Sequence, residues 1–127
     1  MRIIEDLAGL LEAHSHGVFT GDSGRSIFTQ WLPGDPPNVL ALFEHSRGNS
    51  SAENYDSLRV QILTRDTDAV RAYDRAYAVY KTLQGLHNFR IAGSGRWILN
   101  IQAVDSVPAL LGRDAGGRYE YTQSFEV

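Results

Sequence analysis

The stretch LRVQILTRDTDAVRAYDRAYAVYKTLQGL, residues 58–86, decides how the rest of the chain can fold. At its start the apolar residues Leu58, Val60 and Ile62 alternate with polar ones, a pattern that predicts a strand with one buried face. The second half is rich in alanine and has helical spacing. A strand that leads directly into a helix predicts a sheet layer covered by a helix layer.

The helix of this stretch has clear start and stop signals. Thr67 or Asp68 can cap its N-terminus, and Gly85 is a natural stop. Four larger side chains recur along it at steps of three and four residues: Val70, Tyr73, Tyr77 and Tyr80. The tyrosines form a stripe that can bury ring area while offering hydroxyl groups to a partner.

Segments on both sides of this stretch extend the sheet. An amphipathic helix begins the chain and ends near residues 14–17, because Ile3, Ile4, Leu7, Leu10 and Leu11 share one face. Strand patterns occupy residues 26–32, 39–45, 96–104 and 118–127, with 39–45 apolar enough to be buried on both faces. In the last strand Tyr119, Tyr121, Gln123, Phe125 and Val127 point the same way. The polar residues 46–57 predict a long flexible tip between two adjacent strands, and residues 106–117 predict a loop.

Short links between most strands favour antiparallel pairing. We therefore predict an α+β fold: a mostly antiparallel sheet of about five strands with two α-helices packed on one face. A length of 127 residues suits one domain that spans residues 1–127.

Composition excludes several classes of protein. The formal charge of −3 provides no basic field for tight binding to nucleic acid, and the absence of cysteine excludes disulfides and thiolate sites. The longest apolar run, residues 39–43, is far too short to span a membrane, and the acidic N-terminal segment does not resemble a signal peptide.

No catalytic, metal or cofactor motif emerges. The histidines are scattered without the spacing of a zinc site: His14, His16, His45 and His87. Asp66 and Asp68 stand where a helix N-terminus attracts capping acids. The segment GRDAGGR, residues 112–118, lacks the spacing of a phosphate loop, so we interpret it as a turn before the last strand. We expect no cofactor, no metal and no enzymatic activity.

Two blocks together resemble the minor capsid or tail terminator family of long-tailed bacteriophages. The first is residues 58–86, with its "VQ" strand, Arg-Asp turn and tyrosine-spaced helix. The second is PALLGRDAGGRYEYTQSFEV, residues 108–127, in which Pro108, the turn at residues 112–114 and the strand RYEY match the closing signature. Together they cover about half of the chain.

The resemblance implies a homohexameric ring that caps the head-proximal end of the tail tube and joins it to the head connector or stopper protein. It implies a place in the virion tail or neck, after assembly in the host cytoplasm, with DNA passing through the lumen without specific binding. We expect the subunit and partner contacts to include Arg47, Glu53, Tyr55, Arg113 and Asp114.

Two alternatives remain open. The chain could be another neck component, such as a head-completion or stopper protein, which its position in a virion would reveal. It could also be a small-molecule-binding module, because a fold alone does not fix function. A convergent set of polar side chains in a closed apolar pocket would support that second alternative.

Overall fold

The computed structural model describes residues 3–19, 25–33, 37–50, 56–90, 97–104, 108–113 and 117–126. These residues form two helices, α1 (Ile3–Ala13) and α2 (Ala69–Leu83). They also form eight strands: β1 (Ile27–Thr29), β2 (Val39–Ser50), β3 (Asp56–Asp66), β4 (His87–Arg90), β5 (Trp97–Asn100), β6 (Gln102–Ala103), β7 (Ala109–Arg113) and β8 (Tyr119–Glu126).

The main sheet has six of the described strands, in the order β1-β2-β3-β8-β6, with β7 also paired to β8. β6 and β7 lie one after the other along the same edge of β8, where Ala103 pairs with Phe125 and Ala109 pairs with Thr122. β1 runs parallel to β2, and the other pairs of this sheet are antiparallel. The predicted α+β class is confirmed, and the expected number of about five strands is close to the observed six.

Both helices pack on one face of this sheet. Leu42, Ile62 and Gln123 lie opposite one another on β2, β3 and β8, so their side chains share a face. The buried Gln123 donates its Nε2–H to the carbonyl oxygen of Ala76 in α2, at 3.0 Å. One hydrophobic cluster joins this face to both helices: Ile4, Leu7, Ala8, Leu11, Ile27, Leu40, Leu42, Val60, Ile62, Val79, Leu83, Ile101 and Phe125.

Several sequence predictions are confirmed in detail. The consecutive residues Val39–Leu42 are all buried, as expected for a strand covered on both faces. Asp68 is the N-cap of α2, and Gly85, with φ +82°, follows the C-cap. Phe125 is fully buried on the terminal strand. The buried surface of α1 also includes an acid, Asp6.

The tyrosine stripe of α2 is not its buried face. The helix buries Ala72, Ala76, Val79 and Leu83, whereas the side chain of Val70 is 70% exposed. Alanines bring the helix backbone close to the sheet, close enough for the Gln123 side chain to reach the carbonyl of Ala76. The stripe with the alanines therefore faces inward, and the tyrosines lie beside it.

The region after α2 contains more strand than predicted. Ile101 interrupts the expected strand 96–104, since its N–H donates to Leu86 and its carbonyl accepts from Gly85. β5, before it, pairs with β4 in a separate two-stranded sheet, and β6, after it, joins the main sheet. β4 was not predicted, and β7 lies in residues 106–117, where we expected only a loop.

The predicted polar tip at residues 46–57 is largely strand. β2 continues to Ser50 and β3 starts at Asp56, with register shifts on both sides of the Ser46 and Arg47 pairs. β8 pairs with β3 only as far as Arg59. Residues 46–50 and 56–58 therefore form a two-stranded ribbon that, among the described residues, no third strand supports.

Candidate functional site

Large apolar side chains are exposed at both edges of the main sheet and on α2. In the described part of the chain the exposed large hydrophobic residues are Val18, Trp31, Val70, Tyr77, Val104, Leu110 and Leu111. Contiguous exposed apolar surface on a small protein marks a site of interaction more often than a catalytic site. The candidate site of this protein is therefore a set of contact surfaces.

One surface, which we call the edge strip, consists of Leu110, Leu111, Tyr121, Tyr73 and Tyr77. Leu110 pairs with Tyr121 across β7 and β8. The ring of Tyr121 meets that of Tyr73 edge-on at 5.6 Å, and Tyr73 stacks on Tyr77 at 6.1 Å. The edge strip thus runs without a break from the outer strand of the sheet onto the flank of α2.

The edge strip is shaped by a bulge and continues along the helix. Leu111 is the extra residue between the Leu110 and Gly112 pairs, which is why two successive leucines are each 57% exposed. Along α2, Tyr80 stacks on Tyr77 at 5.6 Å, and the ammonium group of Lys81 lies 5.2 Å from the centroid of the Tyr77 ring. The far end of the edge strip is therefore cationic.

The other surface, which we call the Trp31 cluster, lies at the β1 edge and consists of Phe19, Arg25, Phe28 and Trp31. The guanidinium of Arg25 lies 5.2 Å from the ring centroid of Phe19 and 5.1 Å from that of Phe28. Phe28 meets Trp31 edge-on at 5.6 Å. Trp31 itself is 61% exposed, a large aromatic surface left open to solvent.

The contact residues expected from the sequence fall in two places. Arg47 lies on the ribbon, where it pairs with Leu58, and Arg113 lies on β7, where it pairs with Tyr119. Glu53, Tyr55 and Asp114 lie outside the described residues. The turn expected at residues 112–114 is wrong for Gly112 and Arg113, because both belong to β7.

The acid pair Asp66 and Asp68 has the structural role predicted for it. Asp68 Oδ1 accepts hydrogen bonds from the backbone N–H groups of Val70 and Arg71, at 2.9 and 3.3 Å. The buried carboxylate of Asp66 accepts from the Asp68 N–H at 3.1 Å, and it pairs with Arg71 and Arg75. These contacts fix the start of α2 on the end of β3.

His16 joins the two helices. Its Nε2 lies 2.6 Å from Oγ1 of Thr82, whose hydroxyl donates to the carbonyl of Ala78 at 3.1 Å. With the hydroxyl proton directed to Ala78, the tautomer of His16 that fits this contact donates from Nε2. Burial lowers the pKa of His16 below its ordinary value of 6.5, and the charges of His14 and Arg75 lower it further.

Two searches of the part of the chain that the structure describes, one for clusters of metal ligands and one for membrane-spanning helices, gave no candidate. No group of three or more histidine or acidic side chains there could hold a metal ion. None of the helices described is long and apolar enough to cross a bilayer.

Sequence reasoning missed the most exposed parts of both surfaces. Leu110 and Leu111 were placed in a loop, yet two adjacent leucines in a presumed loop are themselves a signal of a contact surface. Trp31 was assigned to a strand and given no role. Its position two residues before Pro33 was a signal that it lies at the end of a strand, because a proline limits how far a strand can continue.

Comparison with known proteins gives one family. The model of a family described as bacteriophage tail terminator protein matches residues 14–127. A search of the curated proteins returned no match. The family match includes every strand described above and α2, together with both contact surfaces.

Proposed function

The chain belongs to the bacteriophage tail terminator family, and from this premise we propose that it forms a closed ring on the head-proximal end of the tail tube and joins the tube to the head connector. Membership makes it a structural component of the phage tail that contacts other tail or head proteins. The family is not an enzyme family. The match over residues 14–127 is the observation that carries the proposal.

Several features of the chain support a role in assembly. Its described surface exposes apolar and aromatic side chains at both edges of one sheet, as expected of a protein whose neighbours cover these edges. A subunit of a cyclic ring needs two different contact surfaces, one for each neighbour. We propose that six subunits surround a lumen through which DNA passes. The net charge of −3 per chain would keep the DNA from binding to the wall of this lumen.

The ribbon suits the contact with the tube or the connector. A two-stranded ribbon is only marginally stable by itself, so residues 46–50 and 56–58 gain most when another protein covers them. We propose that the ribbon and its tip carry partner contacts through Arg47, Glu53 and Tyr55, with Arg113 and Asp114 contributing from the end of β7.

The proposed function can be tested by measuring whether the chain stops the growth of a tail tube. Tail tube protein polymerised in vitro, with and without the chain, should give shorter tubes in its presence, with a ring visible at one end by electron microscopy. Native mass spectrometry of the chain alone and with tube protein measures the number of subunits. Tubes of unchanged length and a chain that binds only the head connector would instead identify a head-completion protein.

A further inference from the structure

The two contact surfaces lie at opposite edges of the sheet. The order β1-β2-β3-β8-β7 separates the Trp31 cluster from the edge strip by four interstrand spacings, roughly 20 Å. The two surfaces also differ in chemistry: one is aliphatic and tyrosine-rich on a bulged outer strand, and the other is a protruding indole backed by phenylalanine and arginine. We propose that the edge strip of one chain binds the Trp31 cluster of a second copy, head to tail.

Three observations favour a second copy as the occupant. First, the surfaces are unlike and lie on opposite sides, which a head-to-tail contact requires and a two-fold symmetric contact does not. Second, each surface contains residue types that dominate binding energy at protein interfaces, which are Trp, Tyr and Arg. Arg25 and Trp31 stand on one side, and Tyr73, Tyr77 and Tyr121 on the other.

Third, the rims of the two surfaces carry opposite charges, whereas the guanidinium of Arg25, inside the Trp31 cluster, lies over the rings of Phe19 and Phe28. Lys81 lies over Tyr77 at the end of the edge strip. On the other side, the exposed Glu44 is next to the Trp31 cluster, because its N–H donates to the side chain of Gln30, the residue before Trp31. Opposite charges at the rims of two docking surfaces guide their association and fix their relative orientation.

The bulge at Leu111 explains why the edge strip binds through side chains. A regular outer strand offers its free backbone groups to any other strand and so invites open-ended pairing. The bulge breaks that row, and the side chains of Leu110 and Leu111 are both exposed. The apolar contact can then be specific for one partner surface, as a ring with a fixed number of subunits requires.

This inference rests on the proposed ring, and its test uses two variants that each damage one surface. Leu111→Glu removes the edge strip, and Trp31→Ser removes the Trp31 cluster. Both side chains are more than half exposed, so both variants should keep the parent's circular dichroism and melting temperature. Ala13→Glu, at an exposed position at the end of α1, is the control for an added charge.

Each variant alone should weaken self-association by at least about thirtyfold in apparent Kd, as truncation of a central interface residue does. Mixed in equal amounts, the two variants should form heterodimers and no ring. The intact edge strip of the Trp31→Ser chain can bind the intact Trp31 cluster of the Leu111→Glu chain, and the dimer's remaining surfaces are both damaged. Native mass spectrometry distinguishes the two chains by mass.

The other outcomes overturn the inference. Rings formed by either variant alone show that its surface is not the contact, and a mixture that stays monomeric shows that the two surfaces do not bind each other. If Leu111→Glu breaks the ring and Trp31→Ser does not, the edge strip binds something other than the Trp31 cluster. A parent chain that forms no ring, alone or on tubes, contradicts the proposed function itself and is recognised before any variant is made.

Discussion

The Nε–H of Arg71 lies between both carboxylate oxygens of Asp66, 2.9 Å from Oδ1 and 3.0 Å from Oδ2. Asp66 is the last residue of β3 and is fully buried, whereas Arg71 is in the first turn of α2 with its side chain 54% exposed. The contact therefore holds the helix against the strand that precedes it. Arg75 adds a longer ion pair of 3.5 Å to Oδ2.

Replacing this carboxylate should loosen the start of α2. We expect Asp66→Asn to lower the free energy of unfolding by about 1–3 kcal/mol, because a neutral amide loses the charge-assisted bonds to Arg71. The partial exposure of Arg71 keeps the effect below that of a fully buried pair. Urea denaturation measures it. Asp74→Asn, at an exposed acid of the same helix, is the control and should stay within about 0.5 kcal/mol of the parent; equal losses would contradict the role of Asp66.

Two glycines should respond oppositely to the same substitution. A Cβ on Gly17 would lie 2.7 Å from Oγ of Ser26 and 2.9 Å from Cγ1 of the buried Ile27, at a φ of +158°. We expect Gly17→Ala to cost about 1–3 kcal/mol. A Cβ on Gly9, inside α1, would meet nothing within 4 Å, so Gly9→Ala should stabilise by about 0.5–1 kcal/mol. Thermal melts of both variants test the prediction, and a shift of the same sign in both would contradict it.

The spacing of apolar residues along the sequence was enough to predict the helices and the central strands. Residues 58–86 predicted β3, a cap at Thr67 or Asp68, α2 and the stop at Gly85, because alternation and capping are local properties. The inward face of α2 could not be determined in this way. Ala72, Ala76, Val79 and Leu83 form one helical stripe and the tyrosines form the next, and only the sheet beneath decides which is covered.

Pairing between segments far apart in the chain accounts for the other differences between the predicted and the observed strands. The short β7 forms because β8 offers it an edge, and the strand around Ile101 divides because its backbone bonds to residues 85 and 86. Neither partner is visible in a local window of sequence. The candidate contact surfaces depend on the same pairing, since Leu110 meets Tyr121, and Tyr121 meets Tyr73, only in the folded sheet.

The burial of His16 should make stability depend on pH. The folded chain has a lowered pKa at His16, so the unfolded chain binds a proton more readily. This contribution is fully present above the unfolded pKa of about 6.5, and it is lost as the pH falls from there through the folded pKa. We therefore expect the melting temperature to decrease as the pH is lowered below about 6.5. His16→Gln should make the melting temperature depend less steeply on pH.

Thr82→Val provides the control for His16. It removes the hydroxyl partner of His16 and should lower stability at every pH by about 0.5–1.5 kcal/mol. The burial of His16 and the charge of Arg75 remain, so the dependence on pH should persist in this variant. A His16→Gln chain with the same slope as the parent would show that another group controls the acid response.

Shortening the ribbon should separate the fold from assembly. Ser46 and Arg59 are register partners, so a two-residue Asn-Gly turn can replace residues 47–58 while keeping the pairing of Arg59 with Glu126 on β8. The free energy of unfolding should change by less than about 1 kcal/mol, because the deleted strands pair only with each other among the described residues. The same chain should yield overlong tubes or unjoined heads.

A control that replaces only residues 51–55 with glycine and serine keeps both strands of the ribbon. Its activity in tube termination and head joining shows whether the contacts come from the strands or from Glu53 and Tyr55 between them. Normal tube lengths and normal head joining with the shortened ribbon would rule it out as a partner contact.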